Sequence, residues 1–284
     1  MNPSALNDAG PDTERLTLAL NAAEGVLQVV LADMAGRAVY SMQVDAASRG
    51  VEIMTPAIAS ALSLLGKTPR DITRVAAVNG PGSFTGLRLA TVTAAGLART
   101  SGAAQAGISY MELVARQCLP LAGLSQDDAH VWAIVRARRD LVYMQAFARG
   151  LKDPASPRAV TGLDTLTVSD GAAARHILDT AILHKCGRVL LGGSGAKDNR
   201  DGFVASLAVP GAPRMTMLPV VFPHPETLLE AALKADFGPE DIEPLYVRAS
   251  DAEENLPQIA AKLGLDPDKA VETLNALTRS RPEA

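Results

Sequence analysis

The stretch TRVAAVNGPGSFTGLRLATVTAAGLART, Thr73 to Thr100, sets three patterns end to end. Thr73 to Gly80 reads as a buried strand, Gly80 to Gly86 as a glycine-rich loop, and Thr85 to Thr100 as a helix. Gly80, Gly82 and Gly86 let the backbone bend where a strand gives way to a helix. The free N–H groups of that helix start could accept an anion. Yet the loop lacks the Lys-Ser/Thr ending of a phosphate-binding loop, and Pro81 stands where a nucleophile elbow around Ser83 needs glycine. Ser83 or Thr85 is therefore expected to cap the helix. The helix itself is crowded with small residues: Gly86, Ala90, Thr91, Thr93, Ala94, Ala95, Gly96 and Ala98. Gly and Thr are poor helix formers, so close packing must compensate, against a partner helix or against the chain's own sheet.

Upstream, RLTLAL (Arg15 to Leu20), GVLQVVLAD (Gly25 to Asp33) and AVYSMQV are β-rich runs separated by the short turns Asn21 to Glu24 and Ala35-Gly36. Between Val51 and Leu65 the residues Met54, Ile58, Ala61, Leu62 and Leu65 recur at spacings of three and four, one face of a helix. Pro56 fits that helix only in or just inside its first turn. With AQAGIS as a further strand, the order implies a mixed sheet with helices packed on it.

Downstream, HVWAIVRA and LVYMQAFAR form a hairpin around Arg138 to Asp140, followed by a proline-bearing loop at Asp153 to Pro157. A helix over Ala172 to Leu183, a strand Arg188 to Gly193 and a helix Pro225 to Asp236 complete a second β-led domain or return to the first. GGSGA (Gly192 to Ala196) reads either as a second phosphate loop or as a simple turn. The expected organisation is a flexible extension over 1–14, domains over 15–104 and 105–250, and a helical tail over 251–284. That tail has the outline of a helix-turn-helix, but Asp266, Asp268 and Glu272 against Lys269 would meet phosphates badly.

Composition narrows the function. A net charge of -4 argues against a broad basic face of the kind a protein gripping nucleic acid alone would need. Cys118 and Cys186 form no close metal or redox pair, and buried thiols are expected. His130, His176, His184 and His224 offer no paired metal-ligand spacing, and His130 and His224 are expected in surface or capping roles. The polar, acidic start and the lack of a long apolar run predict a cytoplasmic protein with no membrane span.

NGPGSFTGLR with the Ala-rich helix and GLA (Gly96 to Ala98) resembles the signature of the TsaB family. VEIMTPAIASALSLLG resembles that family's first helix, ARRDLVYMQAF its D-A-R-x-x-E-V-Y segment, and PLYVR (Pro244 to Arg248) its late P-x-Y-x-R, so the resemblance covers about Arg15 to Ser250. It implies an α/β chain of two actin and sugar-kinase-type domains, with mixed sheets flanked by helices. It also implies work beside a TsaD-type catalytic subunit and a TsaE-type ATPase in modifying tRNA adenosine with threonylcarbamoyl. In that reading the chain pairs with TsaD, or with itself, through its first two helices and meets tRNA only through the complex.

Asn21, Ala22 and Ala23 replace the family's opening D-T-S, which removes groups that handle phosphate and metal in related folds. Gly50, Arg136 and Leu141 depart from the family's usual His, Asp and Glu. No catalytic residue, metal or cofactor is therefore expected. The partner-binding residues expected are Met54, Ile58, Ala61, Leu62, Leu65, Leu87, Thr91, Ala94 and Ala95, beside the signature loop Gly80, Pro81, Gly82, Ser83, Phe84, Thr85, Gly86 and Arg88. The alternative is a small-molecule kinase or glycoprotease-like enzyme of the same fold.

Overall fold

The computed structural model describes residues 15–46, 49–122, 129–153, 155–247, 256–270 and 272–273. The extension expected over 1–14 and Arg248 of the late motif lie outside them. The chain forms two compact units, Met1–Leu245 and Tyr246–Ala284.

The first unit holds two sheets built on one plan. Strands β1 (Leu16–Asn21), β2 (Val26–Asp33) and β3 (Ala38–Asp45) form an antiparallel meander, and β4 (Ile72–Gly80) and β5 (Ala104–Ser109) extend it in parallel on the β1 side. Helices α1 (Gly50–Leu64) and α2 (Phe84–Ser101) supply the crossovers that parallel pairing requires. The second sheet repeats this. β6 (Ala129–Arg138), β7 (Leu141–Arg149) and β8 (Pro157–Ala159) are antiparallel, with β9 (Asp164–Thr167) also on β7, while β10 (Arg188–Gly192) and β11 (Arg214–Met217) add in parallel to β6. Here the crossovers are α4 (Ala172–Leu183) and the pair α5 (Ser194–Asp198) and α6 (Arg200–Leu207). α3 (Tyr110–Cys118) lies between the sheets, touching strands of both, and α7 (Pro225–Leu233) returns to β1, β2 and β3.

Alternation along β1 and β2 separates two layers. Leu16, Leu18 and Leu20 with Leu27, Val29 and Leu31 form one core with α1 and α2. The intervening positions, among them Asn21 and Gln28, face the side where Pro223 approaches ahead of α7. Trp132, Ile134, Val142 and Met144 join Ile177 and Phe203 in the core of the second sheet.

Two local expectations change. Pro56 lies in the second turn of α1 rather than the first, on an exposed side where water can satisfy the carbonyl that its missing N–H leaves free. His130 is buried rather than on the surface, packing edge-on to His184 at 5.4 Å, because it opens β6, the strand at the centre of the second sheet. His224 is exposed, as expected, and precedes α7 without a side-chain capping bond. Cys118 and Cys186 are both buried free thiols. The second unit holds α8 (Leu256–Lys262) and helical turns at 267–270 and 272–273.

Candidate partner face and interlobe cleft

α1 and α2 lie side by side on the first sheet, and both divide cleanly into an inward and an outward side. Met54, Ile58, Ala61 and Leu62 of α1, and Leu87, Thr91, Ala94 and Ala95 of α2, are buried in the single chain; Leu65 packs partly buried against the same core. Their expected place in a partner face is therefore corrected. An apolar stripe at helical spacing is what a helix needs to sit on its own sheet, and the sheet has claimed it. The Thr91 hydroxyl donates to Leu87 O at 3.1 Å, which accommodates a polar group in the tight contact.

A second stripe runs along the outside. On α2 it consists of Arg88, Val92 and Gly96, all exposed, with Val92 at 62%. On α1 it consists of Val51, Thr55, Pro56, Ala59, Ser60, Ser63 and Leu64, with Leu64 at 77%. Added Cβ atoms at Gly96 would meet nothing within 4 Å, so a neighbouring backbone could approach closely there.

The signature loop serves packing. An added Cβ at Gly82 would lie 2.5 Å from Ala23 O, and at Gly86 1.8 Å from Ala22 O. Only glycine lets the β1–β2 turn press onto the start of α2. Ser83 N–H donates to Ala23 O at 2.6 Å, so the hairpin carbonyl takes the place an anion would need. Ser83 Oγ accepts from Gly86 N–H and caps the helix, whereas Thr85 is exposed. Gly80, at φ +137°, precedes a cis peptide to buried Pro81, and its Cβ would be 2.8 Å from Leu245 O. Leu245 N–H donates to Asn79 O at 2.7 Å, so the loop and the late motif meet although 164 residues separate Asn79 from Glu243, whose carbonyl accepts from Asn79 Nδ2. Arg88 lies over the Phe84 ring at 5.9 Å.

Asn21, Gln28 and Gln43 stand opposite one another across β1, β2 and β3. Asn21 Nδ2 donates to Gln28 Oε1 at 2.8 Å, and Gln28 Nε2 donates to Gln43 Oε1 and to Pro223 O, both at 2.7 Å. Asn21 Oδ1 accepts from Ala23 N–H. The Pro223 carbonyl can only accept, which fixes the direction of the row and requires a donor at position 21.

Beside this row the turn meets the second lobe. Ser194 Oγ donates to Glu24 Oε1 at 2.5 Å and accepts from Arg136 N–H at 3.0 Å, while the Arg136 guanidinium pairs with Asp198 at 3.2 Å. The GGSGA segment forms no open cradle: Cβ atoms added at Gly193 and Gly195 would run into the backbone of Ile134 and Val135, at 2.2 and 2.9 Å. The sequence places Glu24 in a turn and Ser194 in GGSGA without joining them, and gives no sign of Tyr110. The one signal available was a lone carboxylate in a turn between two apolar strands. Among the described residues no three His, Cys, Asp or Glu side chains gather as metal ligands, and no helix is long and apolar enough to cross a membrane.

Two lobes of one strand plan, meeting over a hairpin turn and a glycine loop, define a two-lobed α/β fold of mixed sheets flanked by helices. Residues 44–167 match the family described as TsaD, tRNA N6-adenosine threonylcarbamoyltransferase. The match spans less than half of the chain and gives a resemblance to that family over this segment. Two solved structures share the fold. One, described as an uncharacterized protein with similarity to peptidase YEAZ from Pseudomonas aeruginosa, is 22% identical with a TM-score of 0.62; the other, YeaZ from Pseudomonas aeruginosa, is 22% identical with a TM-score of 0.61. In both cases the alignment covers 82% of this chain and 100% of the other. No curated protein sequence matches the chain.

Proposed function

We propose that the chain is a non-catalytic subunit that pairs with a TsaD-type catalytic subunit, supports docking of a TsaE-type ATPase, and thereby enables threonylcarbamoyl transfer to tRNA adenosine in the cytoplasm. The observation that carries this reading is the outward side of α1 and α2, where small and apolar residues lie exposed on two adjoining helices whose inward sides are already fully used. Small residues let helices approach closely enough for side chains to interlock, and burial of the exposed Val51, Leu64 and Val92 supplies apolar area. The partner, rather than this chain, then meets tRNA, in keeping with the net charge of -4.

Sedimentation of the chain mixed with the TsaD-type subunit tests the reading. Wild type should co-sediment, and Val92→Glu should sediment alone while unfolding at the same temperature as the parent. The same substitution should dissolve any dimer of the chain with itself. Undiminished co-sedimentation of Val92→Glu would place the contact elsewhere.

A further inference from the structure

One buried carboxyl joins the two lobes and belongs neither to the outward helix face nor to the amide row. Glu24 reaches out of the β1–β2 turn, and its Oε1 accepts from Ser194 at the start of α5, in the second lobe. Its Oε2 is fully enclosed and has no hydrogen-bond partner. Tyr110 hydrogen-bonds the same carboxyl from α3, its hydroxyl held well above the usual range by burial, by the Glu24 charge and by that bond. Arg136 faces the group from β6 but is drawn to Asp198 of α5, which itself opposes a negative Glu24. Every element around the carboxyl is thus accounted for: a hydroxyl donor, a phenol, and a cation already paired.

We propose that Glu24 is a proton-operated latch between the lobes: as a neutral acid it rests on Ser194 and holds the cleft shut, and once ionised it is expelled and the lobes part. A charge on the enclosed carboxylate would be met by only the Ser194 and Tyr110 hydroxyls, whereas a neutral carboxyl tolerates that enclosure. The balance agrees. Burial pushes the Glu24 pKa up to about 7, against the lowering effects of Ser194, Tyr110 and Arg136. A carboxyl whose folded pKa is raised contributes stability that is present below its unfolded pKa and is lost as pH rises through the folded one. The window is therefore pH 4.5 to about 7, with the last part of the loss falling within the physiological range.

The latch uses only this chain's residues, so its test needs no partner. Urea unfolding of the full chain and of Glu24→Gln should be followed from pH 6 to 8, with small-angle scattering at both ends. Relative to Glu24→Gln, the wild-type unfolding equilibrium constant should rise roughly tenfold across that range, and titrations common to both proteins cancel in the difference. Wild type should expand at pH 8, and Glu24→Gln should stay compact because its amide oxygen still accepts from Ser194. Ser194→Ala, which removes the donor without touching the carboxyl, should be expanded at both pH values. Superimposable pH profiles and radii for wild type and Glu24→Gln would overturn the latch, as would a Ser194→Ala protein as compact as wild type at pH 6.

Discussion

At the scale of single residues, hydrogen-bond direction accounts for an amide rather than a carboxylate at position 21. Asn21 must donate, because Gln28 spends both amide hydrogens on Gln43 and on the carbonyl of Pro223. Asn21→Asp would set a carboxylate against the Gln28 oxygen, or turn that oxygen toward Pro223. Either arrangement leaves buried acceptors facing each other, and about 1–3 kcal/mol should be lost in urea unfolding at pH 7. A variant as stable as the parent would mean the row has no fixed direction. Gly86→Ala tests the neighbouring contact. Its Cβ would fall 1.8 Å from Ala22 O, and the hairpin must move, which should lower stability by about 1–3 kcal/mol or more. His130 makes a prediction about acid. Burial, with smaller effects from His184 and Arg158, lowers its pKa to about 4, so it is neutral in the folded chain. A lowered histidine pKa means that the unfolded chain binds more protons, and stability falls as pH drops from about 6.5 toward 4. His130→Gln should show less of this acid loss in thermal unfolding between pH 7 and 4.5; an equal loss would assign the acid sensitivity to other groups.

At the scale of elements, the two sides of α1 and α2 should respond differently to charge. Ile58→Asp and Ala94→Asp put a carboxylate into the sheet-facing core and should unfold the first lobe. Ser60→Glu and Val92→Glu touch only the outward side and should leave the circular dichroism melt unchanged. If Ile58→Asp melts like wild type, the inward stripe is not core. These helices also show what the sequence makes legible. Spacings of three and four at Met54, Ile58 and Leu62 mark the buried side of a helix correctly, but the same pattern serves a sheet or a partner, and nothing local says which. Exposed small residues such as Ala59, Ser60 and Gly96 leave no periodic signal. The strands and crossover helices of the first sheet, and the β6–β7 hairpin, follow their alternation closely. α3 escaped although YMELVARQC is amphipathic, because it is only nine residues long and follows the strand AQAGIS without a break. β8, β9 and β11 are three or four residues long, too short for a period to register. The meeting of Asn79 with Leu245 depends on chain return, which no local pattern records.

At the scale of the whole molecule, two sheets share a strand plan with no sequence repeat to announce it, since the plan is set by meander-then-crossover order rather than by residue identity. The lobes face each other over groups that close the cleft: Ala22 and Ala23 pressed on the loop glycines, and Glu24 on Ser194. ATP with magnesium should therefore give no binding heat in calorimetry, and a micromolar affinity would instead support an enzyme of this fold. The central claim is that the chain contributes a surface and no chemistry to tRNA modification. Its most direct test is threonylcarbamoylation of tRNA by TsaD-type and TsaE-type subunits, measured with no added chain, with wild type and with Val92→Glu. The account predicts modification with wild type and only background in the other two. Equal modification without the chain, or full modification with Val92→Glu, would contradict it.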